Sequence, residues 1–275
     1  MMEINLDINA DLVRSILTRF IHDEITRTGM SRAVINLSGG IDSALACYLA
    51  VEALGAENVL ALRLPYKSSS ADSLEHAQLV TDALGLTVKT IPITEMADAL
   101  INLEPDMSNV RKGNIMARCR MILAYDHSEA FKGLVIGTGN KTELLLGYST
   151  LYGDSACALN PIGDLYKTQI RQLSRAMGVP QSIIDKPPSA DLWTGQTDEG
   201  ELGYTYENVD KLLYLLVDQR YSPDDCLAAG FQDEFVRSVV TRIRKYQFKR
   251  VTPPIAKISS RTIPYDFIYM RDWGT

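Results

Sequence analysis

The sequence predicts an α/β fold: a single doubly wound parallel sheet with helices on both faces and a C-terminal helical annex. Three observations carry that expectation. Short apolar runs alternate with longer amphipathic segments between residues 33 and 136. A glycine turn, SGGIDS at 38–43, leads from the first apolar run straight into a helical one. Beyond Gly147 the strand signals fade while helical periodicity continues. Such alternation implies parallel strands, right-handed crossovers and helices packed on both sides.

The elements follow in chain order. Over 9–30, Leu12, Val13, Ile16, Leu17, Phe20 and Ile25 recur at three- and four-residue spacing behind a capping Asn9 or Asp11, which predicts an amphipathic helix. Strands are expected at 33–37, 59–64, 87–91 and 134–136, with helices at 43–54, 73–84 and 111–131 between them. Further helices are expected at 167–177, 207–217 and 233–246, the last with Phe235, Val239 and Ile243 on one stripe. Residues 186–203, KPPSADLWTGQTDEGELG, make too long a connector for an ordinary turn and read as a binding loop or lid. The whole chain, 1–275, reads as one domain: a helix at 9–30, a nucleotide-binding core at 33–185, the loop at 186–203 and a helical part at 204–275.

Composition narrows the function. A net charge of -6 argues against a generic grip on nucleic acid or an anionic membrane, so a polyanionic ligand must be held locally. No apolar run is long enough to span a bilayer, and the start MMEINLDINA lacks an export signal, which makes the cytoplasm the expected location. Cys47, Cys119, Cys157 and Cys226 form no C-x-x-C pair, and His22, His76 and His127 lie far from them in sequence, so zinc spacing is absent.

The strongest motif is the turn Ser38, Gly39, Gly40, Ile41, Asp42, Ser43 between a strand and a helix. Adjacent glycines let several N–H groups converge with a helix N-terminus on an anion, which suits phosphate. The turn is not the G-x-x-x-x-G-K-S/T loop, since no lysine follows its glycines. An aspartate inside such a nest would repel phosphate unless a divalent cation lay between them, so Asp42 argues for Mg²⁺. A plain tight turn with Asp42 and Ser43 as helix caps remains the alternative.

A second strand end carries LVIGTGNKTE. Its Gly137-x-Gly139 imitates a dinucleotide fingerprint, but Thr142 stands where the third glycine belongs. Thr138 is placed to reach a phosphate and Glu143 to share the metal, or else Glu143 is an ordinary first-turn helix acid. Arg111, Lys112, Arg118 and Arg120 crowd one helical stretch of an acidic chain. They make either a solvated face or, through Arg118 and Arg120, a binding surface for anionic ligands. Lys167 opens a helix after NPIGDLY and is a candidate point charge for a transferring phosphoryl group.

Taken together these residues resemble the ATP pyrophosphatase group, whose signature SGGxDS is met by 38–43, and within it the NAD synthetase family. RLPY at 63–66, RKGNIMARCRM at 111–121, GTGNKTE at 137–143, YGD at 152–154, DLYKTQ at 164–169, the 186–203 loop and FKR at 248–250 carry the resemblance. It implies an adenine nucleotide alpha hydrolase-like fold. It also implies ATP-dependent adenylation of nicotinic acid adenine dinucleotide (deamido-NAD⁺), followed by displacement of AMP by ammonia to give NAD⁺. By the same resemblance Asp42, Glu143 and Lys167 are catalytic, and Asp42 and Glu143 hold Mg²⁺. Ser38, Gly39, Gly40, Ile41, Asp42, Ser43, Arg63, Thr138, Lys167 and Ser189 contact ATP. Arg120, Asp154, Glu201, Phe248 and Lys249 face the dinucleotide, and a homodimer is implied.

Three positions depart from many stand-alone members: Leu151 replaces a lysine, Ala158 an acid and Phe248 a histidine. TLYGD with FKR is closer to the synthetase portion of glutamine-dependent enzymes. With the first strand expected at residue 33, free ammonia is the expected nitrogen source, unless a separate glutaminase subunit feeds the chain. Another SGGxDS enzyme, such as a tRNA-thiolating protein, is disfavoured by the acidic balance and the lack of paired catalytic cysteines. A nucleotide sensor would have no need for a metal-clamped leaving group.

Overall fold

The computed structural model describes residues 4–189, 191–193, 196–263 and 266. Among them four parallel strands, β1 (Arg32–Asn36), β2 (Val59–Arg63), β3 (Thr87–Thr90) and β4 (Gly133–Ile136), form one sheet in the order β3-β2-β1-β4. A bridge from Ile136 to Leu159 extends it past β4.

The apolar strands are read out on both faces. Ala33 and Ile35 of β1 join a cluster with Ile21 and Ile25 of α1 (Ala10–Thr26) and Leu45 and Leu49 of α2 (Ile41–Leu54). Ala77 and Val80 of α3 (Ala71–Leu84) lie in the same cluster. Val34, one residue out of phase, packs on the other side with Ala97 of α4 (Thr94–Ile101) and Met116 and Cys119 of α5 (Asn109–Phe131). That switch of face at each residue is the period of a strand, and a strand covered on both faces has no polar side.

Past β4 come α6 (Lys141–Leu146), α7 (Lys167–Ala176), α8 (Gln181–Asp185) and α9 (Asp198–Leu202), then α10 (Tyr206–Leu213), α11 (Pro223–Ala228) and α12 (Asp233–Lys245). Ile170 and Leu173 of α7 return to the first cluster. Leu146, Val209, Leu212, Leu213, Val236 and Val239 make a third cluster, with Phe235 and Ile243 packed against it. The stripe foreseen on the last helix is therefore used inside the chain.

The expected strands and long helices are present with ends shifted by a few residues. The expected 207–217 helix divides, because α10 ends at Leu213 and a π-helical turn covers Tyr214–Asp218. Helices α4, α8, α9 and α11 were not foreseen, and α6 only through the alternative that made Glu143 a first-turn helix acid; each has eight residues or fewer, too few turns to print a periodicity. Residues 190, 194–195, 264–265 and 267–275 of the expected loop and C-terminal part lie outside the described residues.

Ile35 is fully buried at the centre of the sheet, whereas Leu103 is 74% exposed. Urea denaturation is expected to show Ile35→Ala losing about 2–5 kcal/mol of stability and Leu103→Ala changing it by less than about 0.5 kcal/mol.

Candidate active site

In a sheet of this order the connections from β1 and β4 diverge, and the crevice between their carboxyl ends is where ligands enter such folds. Both motifs sit there. SGGIDS follows β1 and GTGNKTE follows β4, so residues about a hundred positions apart come to face one cleft.

The first turn is knitted by its own serines. The Ser38 and Ser43 hydroxyls lie 3.0 Å apart, the Ser43 hydroxyl donates to the Gly40 carbonyl, and the Ser38 amide donates to Ser43 Oγ. Gly39 has φ +81°, and a Cβ there would stand 2.0 Å from the Ser73 carbonyl oxygen of α3. Glycine is required on both counts. Among the described residues no side chain caps α2, whose N-cap is Gly40, so its first-turn N–H groups suit an anion.

The charged centre is a buried ammonium between two carboxylates. Lys167 Nζ lies 2.5 Å from Asp42 Oδ2 and 3.3 Å from Glu143 Oε1, with the lysine side chain 3% exposed. Burial opposes its charge, but Asp42, Glu143 and Asp198 outweigh burial and hold its pKa above the ordinary lysine value. Asn140, fully buried, orients both acids: its side-chain amide donates to Asp42 Oδ1, and it forms a capping box with Glu143. Glu143 is thus a first-turn helix acid, one of the two roles the sequence left open, and also a partner of Lys167, a contact the sequence did not foresee.

The Glu143 carboxyl is pushed up to about 8: burial raises it, Lys167 pulls it back, and Asp42 and Asp198 add to the rise. Asp198, also raised by burial and eased by Lys167, accepts hydrogen bonds from the hydroxyls of Tyr206 and Tyr148. The Tyr206 ring lies under Lys167, its centroid 5.1 Å from Nζ.

Around this centre the cleft is lined by Thr138, Arg63, Arg120, Asp154 and Ser189. Arg63 is held by Thr90 and Gln78, and Arg120 donates to the Leu64 carbonyl. Asp154 accepts from the Thr150 amide, and Ser189 donates to the Gln196 carbonyl. Glu201, Phe248 and Lys249 are outside the lining. Glu201 accepts from the Tyr148 hydroxyl, Phe248 is 56% exposed beside Tyr246, and Lys249 donates to the carbonyls of Gly147 and Ser149. Arg118 donates to the Leu151 carbonyl, and Ala158 is exposed.

The expected lid lies over α3 and α5. Lys186 Nζ donates to Ser73 Oγ, the Ser70 amide donates to Asp191, and Leu192 fills the space left by Gly113, where a Cβ would stand 2.8 Å from its Cδ1. Among the described residues no three metal-ligating side chains gather. The donor set is two carboxylates, which suits a hard cation that takes the rest of its shell from phosphate and water.

A model of the NAD synthase family matches residues 13–253. The chain belongs to the NAD synthase family. It is 57% identical over 269 residues to the NH(3)-dependent NAD(+) synthetase of Trichlorobacter lovleyi, covering 98% of each protein. The corresponding Chlorobaculum tepidum protein is 54% identical, with 98% of this chain and 97% of that one covered. Among solved structures, the NH3-dependent NAD synthetase of Campylobacter jejuni, in complex with the nitrate ion, matches with a TM-score of 0.78 at 35% identity, over 91% of this chain and 100% of that one. The NMN synthetase of Francisella tularensis matches with a TM-score of 0.81 at 31% identity, over 91% and 99%.

Several residues of this cleft went unread in the sequence. Asn140 was legible, since N-x-x-E before an apolar run is a capping-box signature. Asp198, Tyr206, Tyr148 and Asp210 had no such signal, because only the fold brings them to Lys167.

Two predictions follow from the geometry of this NAD synthase cleft. Gly39→Ala should lose more than about 2 kcal/mol in urea denaturation, from the left-handed φ and the Ser73 clash. Gly40→Ala, whose Cβ meets the Ser38 hydroxyl only at 3.4 Å, should lose less than about 1 kcal/mol. For Glu143, the folded chain keeps a proton that the unfolded chain sheds above the ordinary glutamate value of about 4.5. Its contribution to stability is therefore complete below about 4.5 and lost as pH rises through about 8. In metal-free buffer the stability of Glu143→Gln relative to the parent should rise across that window, and a pH-independent difference would contradict the assignment.

Proposed function

We propose that the chain amidates nicotinic acid adenine dinucleotide to NAD⁺ with ATP and ammonia, through an acyl-adenylate, releasing AMP and pyrophosphate. The carrying observation is the Lys167 ammonium set between Asp42 and Glu143 at the mouth of an uncapped glycine turn, in a chain 57% identical to an NH(3)-dependent NAD(+) synthetase. ATP lies with its β- and γ-phosphates on residues 38–43, near Thr138 and Ser189, with Arg63 toward the nucleotide and Lys167 toward the transferring phosphoryl group. Asp42 and Glu143 would hold Mg²⁺, which when bound neutralises charge on the polyphosphate.

The chemistry asks the protein mainly for position and charge. The nicotinate carboxylate attacks the α-phosphate, the bond to pyrophosphate breaks, and ammonia then displaces AMP from the acyl carbon. No enzyme nucleophile is needed. Arg120 and Asp154, on the cleft wall, face the dinucleotide, with Glu201, Phe248 and Lys249 farther out. The chain works as one unit, with 33–185 as the ATP pyrophosphatase core, 186–203 as its lid and a C-terminal part from 204 whose helices end at Lys249 among the described residues.

The chain acts as a homodimer in the cytoplasm, fed by free ammonia. Exposed Leu12 and Ile16 on α1 and Ile122 and Tyr125 on α5 offer apolar surface for a second copy. Among the described residues no helix is long and apolar enough to cross a membrane.

One observation favours a second substrate, the nicotinate mononucleotide: the Francisella tularensis relative is an NMN synthetase. Incubation of each acid with ATP, Mg²⁺ and ammonia separates the readings. NAD⁺, AMP and pyrophosphate in equal amounts are expected from the dinucleotide, with slower turnover of the mononucleotide. Release of ADP, or faster turnover of the mononucleotide, would contradict the proposal. Asp42→Ala and Glu143→Ala should each lower kcat by at least about 100-fold while remaining folded by circular dichroism.

A further inference from the structure

Asp210 is fully buried on α10, and nothing in the chemistry above uses it. Its Oδ1 accepts from the Thr142 hydroxyl at 2.6 Å, and its Oδ2 accepts from the Thr168 amide at 2.8 Å. Thr142 Oγ1 in turn accepts from the Lys167 amide at 3.1 Å. Two helix starts therefore converge on one carboxylate: Thr142 stands beside Glu143 in the first turn of α6, and Lys167 and Thr168 open α7. Gln169 of the first turn accepts from the Tyr166 amide at the N-cap, while the Tyr166 hydroxyl goes to Asp218, so the Lys167 and Thr168 amides take their partners from elsewhere. Asp210 and Thr142 bind the first amides of α7 from outside that helix, where a negative charge also complements its dipole.

The other end of Lys167 is met by the same helix. Tyr206 lies one turn before Asp210 on α10, with its ring under Nζ and its hydroxyl on Asp198. Along α10, then, Asp210 fixes the backbone of Lys167 and Tyr206 supports its ammonium. We propose that Asp210 is a positioning residue, acting through Thr142 and the first turn of α7 to hold Lys167 against Asp42 and Glu143 for adenylation. This inference rests on the amidation reading for its kinetic test but not for its spectroscopic one.

The test compares Thr142→Val, which keeps the shape and removes the hydroxyl, with Thr142→Ser, which keeps it, and with Asp210→Asn. Thr142→Val and Asp210→Asn are expected to lower kcat about 100-fold, the scale of a misplacement near an ångström, and to leave KM for ATP within about threefold. Thr142→Ser should retain most of the parent kcat. Equal kcat for the Val and Ser variants, or a loss confined to KM, would overturn the proposal. If Asp210→Asn does not fold, the Thr142 pair carries the kinetic test.

A readout without turnover uses nitrogen-15 NMR of the Lys167 ammonium, assigned by its disappearance in Lys167→Arg. The resonance should persist in Thr142→Ser and shift or broaden in Thr142→Val; an identical resonance in Thr142→Val would overturn the proposal. Should the parent make no NAD⁺ while this pattern appears, the substrate reading fails and the positioning role stands.

Discussion

The site depends on an ammonium taken out of water. Withdrawing an ion from solvent costs several kcal/mol, and a buried ion pair recovers that cost only when its geometry is good and its remaining partners are satisfied. Lys167 meets the condition with the Asp42 carboxylate at 2.5 Å, the Glu143 carboxyl group at 3.3 Å and an aromatic ring beneath it. The cation between Asp42 and Glu143 offsets the repulsion that two ionised acids would feel there. Such an arrangement is a poor way to stabilise a fold and a good way to hold charge in place for a polyanionic ligand.

Everything nearby serves that constraint. Asn140 spends its amide on Asp42 and its backbone on Glu143, so the two acids cannot drift apart. Tyr206 and Tyr148 hold Asp198, whose charge adds to the field that keeps Lys167 protonated. Asp210 closes the outer layer. These residues come from α2, α6 and the turn after it, the start of α7, α9 and α10, around the carboxyl ends of β1 and β4. The sheet order puts a crevice there, and the helix starts turn their amides and first-turn side chains toward it.

Legibility in the sequence followed how local each signal was. β1 was readable because a strand covered on both faces is a run of apolar residues, and α5 because its length prints a helical period. The 38–43 turn was readable because two glycines and an acid at a strand end have few physical uses. Lys167 taken by itself was an ordinary first-turn lysine; the family pattern singled it out, and its burial emerged only from the packing of α7 against α1, α2 and α10. Asp210 and Tyr206 were unreadable for the same reason. A buried carboxylate satisfied by a threonine 68 positions away leaves no local mark. Short α9 escaped notice because five residues show no period.

The most direct measurement is a crystal structure of the chain grown with ATP and Mg²⁺. The account predicts the β- and γ-phosphates on the 38–43 turn, Mg²⁺ on Asp42 and Glu143, and Lys167 directed at the polyphosphate. Nucleotide bound elsewhere, with Lys167 still closed on both carboxylates and no metal between them, would contradict it.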